Sequence, residues 1–438
     1  MGKLSIFQMG VIGFFVLAAI AGVVAFGGLG AGGDSDSIVE VTAWGTVPNA
    51  AIGAATKVLK SSETVKILYV EKDPRTIESE LVEALASGRG PDMVILPHDM
   101  LYGQMDRLFL IPYSSYDERR FRDTFVQEGE LYLFQKGIAA LPLYIDPLLM
   151  FWNRDIFSEK GEALPPASWD DFINLTKLIN VKDERLNITR SAIALGEYGN
   201  ITNSKAILSA MFLQAGMPVV AKTGGTPVPA ILGSAINGVR PGEAVLNFYS
   251  QFANPVGAVY SWNRALPQDR LFFLSSNLAV YLGFASEVSY LRDRNPHLNF
   301  DITGLPRPRQ SSNVVTFGKM YGVSVLKSSA KINSAVIAAG ILTRSDVVKA
   351  ASTAAGIAPA RKDLLAAPAP DKPNESVFFT AAIQSRGWLD PSQSLTDTVF
   401  QKMVEEVISG KKKSREAISA AEADILEIIK KNKAFNTE

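Results

Sequence analysis

The side chains best suited to chemistry in this chain are aromatics, acids and amides set at the ends of apolar runs: Trp44, Asp99, Tyr144, Asp146, Tyr198, Asn200, Trp262, Phe284 and Tyr321. Trp44 ends the run SIVEVTAW, Asp99 follows DMVILP, Phe284 follows LAVYLG, and Tyr321 lies in MYGVSVL. Tyr144 and Asp146 share an apolar crossing segment, while Tyr198, Asn200 and Trp262 fall in loops. In open α/β sheets, ligands bind at the carboxyl ends of strands. An aromatic ring stacks on the C–H face of a pyranose, and Asp or Asn shares hydrogen bonds with its hydroxyls. The set therefore suits a neutral polyol or sugar. Packing roles stand beside this reading. Asp99 could equally cap the helix after it, and Asp146, alone among apolar neighbours, is either paired or turned to a polar ligand. Trp152 and Trp169 are assigned to packing, His98 to a structural hydrogen bond and His297 to an exposed loop.

Other chemistries find less support. The chain holds no G-x-S-x-G, H-E-x-x-H, G-x-x-x-x-G-K-[ST] or EF-hand loop. It has no cysteine and two histidines, which removes thiol nucleophiles and disfavours a His-based metal centre. We expect neither metal nor cofactor, and no catalysis. A surface glycosidase using Asp146 and Asp99 remains the enzymatic alternative, since its two carboxyls need only come within roughly 5–10 Å in the fold. Lys plus Arg and Asp plus Glu number 44 each, so no global field recruits nucleic acid. The segment GLGAGG (Gly28, Gly30, Gly33) fits the dinucleotide fingerprint in letters, but an apolar span precedes it and an acidic linker follows.

The elements that must position these residues follow from periodicity. At 438 residues the chain is long enough for two lobes. From Leu4 to Gly33 there is no charge; about 20 apolar residues match the bilayer core, so residues 1–28 read as a single-pass anchor. Lys3 before the span and Asp34, Asp36 and Glu40 after it place the bulk outside the cytoplasm. A cleaved signal peptide is the alternative, with Ala25-Phe26-Gly27 as its small-x-small site. Residues 29–38 form a Gly- and Asp/Ser-rich tether. Strands at 37–44, 65–70 and 92–97, with helices at 50–60 and 74–86 between them, give a βαβαβ order and hence a parallel sheet. Further helices are expected at 169–181, 204–215, 243–253, 269–276, 331–342, 395–408 and 414–430, and strands at 148–152, 278–283 and 320–326. The strand within NFDITGLPRP is a candidate second crossing between lobes.

The segments PDMVILPHDMLYGQMDRLFLIPYS, GIAALPLYIDPLLMFWNRDIF followed by PPASWDDF, ITNSKAILSAMFLQAG, FLSSNLAVYLG, MYGVSVLKSS and GIAPARKDLL occur in that order. Through them, over nearly all of residues 39–430, the chain resembles the family 1 extracellular solute-binding proteins, which include maltose-binding proteins. The resemblance implies a two-lobe periplasmic-binding-protein-like α/β fold of type II with an interlobe hinge. It implies a first lobe of 39–142 and 307–345 and a second of 143–306 and 346–438. It implies Asp99 as a ligand carboxylate in the first lobe, Asp146 as a polar contact at the crossover, and Trp262 and Phe284 in the second-lobe cleft. Phe284 stands where sugar binders carry Trp, and Met100 where maltose-type members carry a polar residue, which argues against maltodextrin itself. The implied function is capture of a small neutral solute, a sugar, by lobe closure and delivery to the permease of an ABC importer, by a monomer tethered to the membrane. A sensor or adhesin reusing the fold is the remaining alternative.

Overall fold

The computed structural model describes residues 38–59, 63–223, 226–229, 240–309, 314–366 and 373–431. The expected anchor, 1–28, and residues 29–37 of the expected tether lie outside them. Among the described residues no helix is long and apolar enough to cross a membrane.

The opening elements follow the periodicity: strand Val39–Gly45, helix Asn49–Lys57, strand Val65–Glu71, helix Ile77–Ala86 and strand Met93–Pro97. Val41, Ala43 and Gly45 are buried in alternation, whereas Met93–Pro97 is buried throughout. Val39–Gly45 lies between the other two strands and is parallel to both, as helical crossovers require.

From Met93–Pro97 the sheet continues through Thr316–Leu326, Leu141–Asn153, Leu278–Phe284 and Ile188–Ile193. Its pivot is Leu141–Asn153, 13 residues buried at every position. The segment holding Tyr144 and Asp146 and the aromatic run after it are thus one strand. Its first half, Leu141 to Pro147, pairs with Val323 to Gly318. Its second half, Leu148 to Trp152, pairs with Phe284 to Val280. Pro147 has no N–H to give a ladder and sits where the strand changes partner, a place a strand tolerates proline. Both partners run antiparallel to it. Beyond the parallel opening strands the sheet is therefore mixed, because a chain that crosses between lobes and returns must reverse at the shared strand. Phe300–Thr303, in the candidate second crossing, pairs with the second half of this same strand.

Helix Ser345–Ala355 buries Val347, Val348 and Ala351. It packs on Asn49–Lys57, whose buried face is Ala51, Ile52 and Ala55. Gly356, at φ 68°, ends the helix in the left-handed conformation. Residues 346–355, beyond the expected division at 345, thus pack against a helix of the opening βαβαβ unit. The chain reaches the second lobe through Ser385–Arg386, paired with Thr316 and Phe317. Helices Gln393–Ile408 and Ser414–Lys431 then pack on each other and on Pro241–Ser250.

Candidate ligand cleft

A cleft of about 510 Å³ opens between the lobes. Its first-lobe wall is Pro74, Arg75 and Glu78, with Asp99 and Met100 from the turn after strand Met93–Pro97. Its second-lobe wall is the start of helix Ser204–Gln214 with Phe284. Phe317 and Lys319 of the strand Thr316–Leu326 also line it, as do Trp388, Asp390, Gln393, Ser394 and Asp397 of the returning chain.

Asp99 is buried, and its Oδ2 accepts a 3.3 Å hydrogen bond from Gln393 Nε2. Its Oδ1 is buried without a hydrogen-bond partner. Lys205, on the opposite wall, is fully committed. Its ammonium donates to Asp390 Oδ2 at 2.6 Å, Thr396 Oγ1 at 2.6 Å and the Gln393 carbonyl at 3.0 Å, which uses all three donors. Burial raises the Asp390 carboxyl above its ordinary pKa, with Lys205 opposing and the Asp99 charge adding to the rise. Glu78 is raised as well, by partial burial and then by the charges of Asp390 and Asp99. Four carboxyls, Glu78, Asp99, Asp390 and Asp397, therefore share this region with the cations Arg75, Lys205 and Lys319. The Lys319 ammonium lies 4.4 Å from the centre of the Phe284 ring, a cation–π contact.

The aromatic lining is recessed. Trp388 is 2 % exposed, Phe284 4 % and Phe317 5 %. Trp388 donates its indole N–H to Ser209 Oγ at 3.1 Å and stacks on Phe400 with ring centres 6.2 Å apart.

Of the residues picked out by sequence, Asp99 and Phe284 line the cleft, and the other seven are placed elsewhere. Trp262 is fully buried, packs edge-on to Phe272 and donates its indole N–H to Asn200 Oδ1 at 3.1 Å. Asn200 in turn donates to the carbonyls of Asn263 and Leu266, so this pair staples two loops together. Tyr198 donates to Asp397 Oδ1 at 2.6 Å and meets the cleft only through that carboxylate. Tyr144 and Tyr321 oppose each other across the crossing ladder, with rings 4.8 Å apart. Trp44 lies under Lys72, whose ammonium is 4.0 Å from the ring centre, and lines a separate shallow groove with Glu80 and Arg89.

Asp146 is buried in the crossing strand and accepts the Ser286 N–H at 3.0 Å. Burial pushes its pKa up to about 6, against the pull of Ser286 and Lys319. It is opposite Lys319 in the ladder but is not on the cleft wall, so Asp99 and Asp146 do not form a pair there. Sequence reading missed Glu78, Lys205, Lys319, Trp388, Asp390 and Gln393. The available signal was GWLDPS, a tryptophan between a glycine and an Asp-Pro helix lead-in.

Residues 54–378 match the family model described as bacterial extracellular solute-binding protein. The chain belongs to that family. Solved structures similar to this solute-binding protein include a cyclo/maltodextrin-binding protein complexed with maltotetraose. That chain is 16% identical, with a TM-score of 0.71 over 91% of this chain and 98% of the other. The cyclic α-maltosyl-1,6-maltose binding protein from Arthrobacter globiformis is 16% identical, with a TM-score of 0.73 over 90% and 99%. An ABC transporter solute binding protein from Thermotoga lettingae, bound with α-D-tagatose, is 17% identical, with a TM-score of 0.67 over 89% and 100%. At these identities the likeness establishes the two-lobe α/β fold. No curated protein matches this solute-binding protein by sequence.

Proposed function

We propose that this solute-binding protein captures a small polyhydroxylated solute, a mono- or disaccharide, by closing its lobes around it. It then delivers the solute to the permease of an ABC importer, acting outside the cytoplasm from a membrane tether at residues 1–28. The observation that carries the reading is Asp99: an interlobe wall carboxylate with one oxygen buried and unpartnered, while Lys205 opposite has no donor to spare. An acceptor of that kind suits a ligand hydroxyl. The cleft volume of about 510 Å³ lies within the range of small-molecule sites. Recessed aromatics leave no long stacking platform, which favours a short ligand over a dextrin. The sugars bound by the similar structures point to the same class. Lobe contacts such as Asp99 with Gln393 give closure a differential interaction that a bound ligand extends. On this reading the protein binds its ligand and does not turn it over.

Thermal shift and calorimetry of the chain against neutral mono- and disaccharides, dextrins, uronates, amino sugars and amino acids test it. Stabilisation by a short neutral sugar is expected. Binding confined to amino acids, or release of product from an aryl glycoside, overturns it.

A further inference from the structure

Behind Asp99 and Trp388, two buried polar atoms converge on one glycine. His98 Nδ1 accepts the Met320 N–H at 3.2 Å, and burial lowers the imidazole pKa to about 4, which keeps the ring neutral. A neutral ring that accepts at Nδ1 carries its proton on Nε2. That Nε2 is buried without a partner, and so is Glu128 Oε1. A carbon added to Gly387 would lie 2.4 Å from Glu128 Oε1 and 2.5 Å from His98 Nε2. Both atoms therefore face the same point and lie within about 4.9 Å of each other, yet they do not hydrogen-bond. Two hydrogen bonds of about 2.8 Å meeting at a tetrahedral oxygen span roughly 4.6 Å. Two convergent polar partners meet the hydrogen-bonding condition for a buried water.

We propose that a buried water rests against Gly387, bonded to His98 Nε2–H and Glu128 Oε1, and that this contact positions Trp388 relative to Asp99. His98 immediately precedes Asp99, and Gly387 immediately precedes Trp388. One water thus ties the chain behind the first-lobe wall of the cleft to the returning segment. A Cβ at 387 would press on both of its partners.

Charged and titratable groups around the site are Arg386 and Tyr132 at Glu128, and Asp99, Lys319 and Lys205 at His98. Burial raises Glu128 to about 8, with Arg386 and the Gly387 N–H pulling it down. A carboxyl so raised stabilises the fold below its unfolded value of 4.5, and that contribution is lost as pH climbs through about 8.

With two histidines in the chain, ¹⁵N-histidine spectra of the full-length protein resolve His98 from the exposed His297. The expected result is an Nε2–H tautomer at His98 from about pH 5 to pH 8, with an exchange cross-peak to a long-lived water. Gly387→Ala should abolish that cross-peak and shift the Trp388 indole N–H resonance. Glu128→Gln should keep the cross-peak but flatten the fall in melting temperature with rising pH that the unsubstituted chain shows. A direct His98–Glu128 bond without water, a cross-peak that survives Gly387→Ala, or an unchanged pH profile in Glu128→Gln each overturns the proposal.

Discussion

Lys205 and Asp390 form a 2.6 Å ion pair that joins the first turn of a second-lobe helix to the segment carrying Trp388 into the cleft. Asp390 is 1% and Lys205 16% exposed at the side chain, so the pair is internal structure. It shapes one wall and offers no free charge to a ligand.

Removing one partner should therefore be costly. Lys205→Met leaves Asp390 buried and uncompensated, and we expect a loss of about 3–5 kcal/mol in urea unfolding. The double substitution Lys205→Met with Asp390→Leu should recover most of it, because replacing both charges removes the stranded group. A single-mutant loss under about 1 kcal/mol would show that the pair holds little.

Asp99→Asn tests the ligand contact. The side chain keeps its size and can still meet Gln393, so the unfolding midpoint without ligand should stay near that of the unsubstituted chain. Affinity for whichever sugar of the panel binds should fall at least about tenfold, or roughly 1.4 kcal/mol, in calorimetry. Unchanged affinity would move the hydroxyl-binding role elsewhere.

Asp146 gives a pH signature. Its folded pKa is raised from 3.8 to about 6, so its contribution is present below about pH 4 and lost as pH rises through 6. Denaturant unfolding at those two pH values should show the unsubstituted chain losing roughly 2 kcal/mol more than Asp146→Asn on going from the lower to the higher. Parallel curves for the two proteins would count against burial as the cause of the shift.

Trp262 and Phe284 separate packing from binding. Trp262→Phe deprives Asn200 Oδ1 of its donor and should cost about 1–2 kcal/mol of stability, with sugar affinity unchanged within about twofold. Phe284→Ala should weaken sugar binding, because it removes a cleft surface and frees the Lys319 ammonium. The reverse assignment of effects would return Trp262 to the cleft.

Much of the fold was legible because periodicity is local. The opening βαβαβ and the helices at 204–214 and 393–408 lie close to where apolar spacing puts them. Asp99 was legible because a carboxylate just after a fully apolar strand falls at the strand's carboxyl end. Trp388 and Asp390 were not, because nothing local distinguishes a tryptophan that enters a cleft from one that enters a core. Their place depends on Ser385–Arg386 pairing with Thr316 and Phe317, about 70 residues earlier in sequence. Trp262 shows the converse: an aromatic loop with a polar neighbour resembles a binding loop until Asn200, 62 positions away, is seen to take its N–H. The amphipathic face of helix Ser345–Ala355 shows that it packs but not against which element.

The unbroken strand from Leu141 to Asn153 bears on how the two halves can move. With each half of it laddered to a different lobe and Pro147 at the changeover, it behaves as a torsion bar instead of a loose joint. On the proposed lobe closure, rotation would fall on the few dihedrals around Pro147 and its ladder partner Gly318, with the ladders on either side resisting further twist. The proposed swing between open and closed forms would then be set by the elasticity of a paired backbone, so stiffening Gly318 alone should retune the whole protein's clamp.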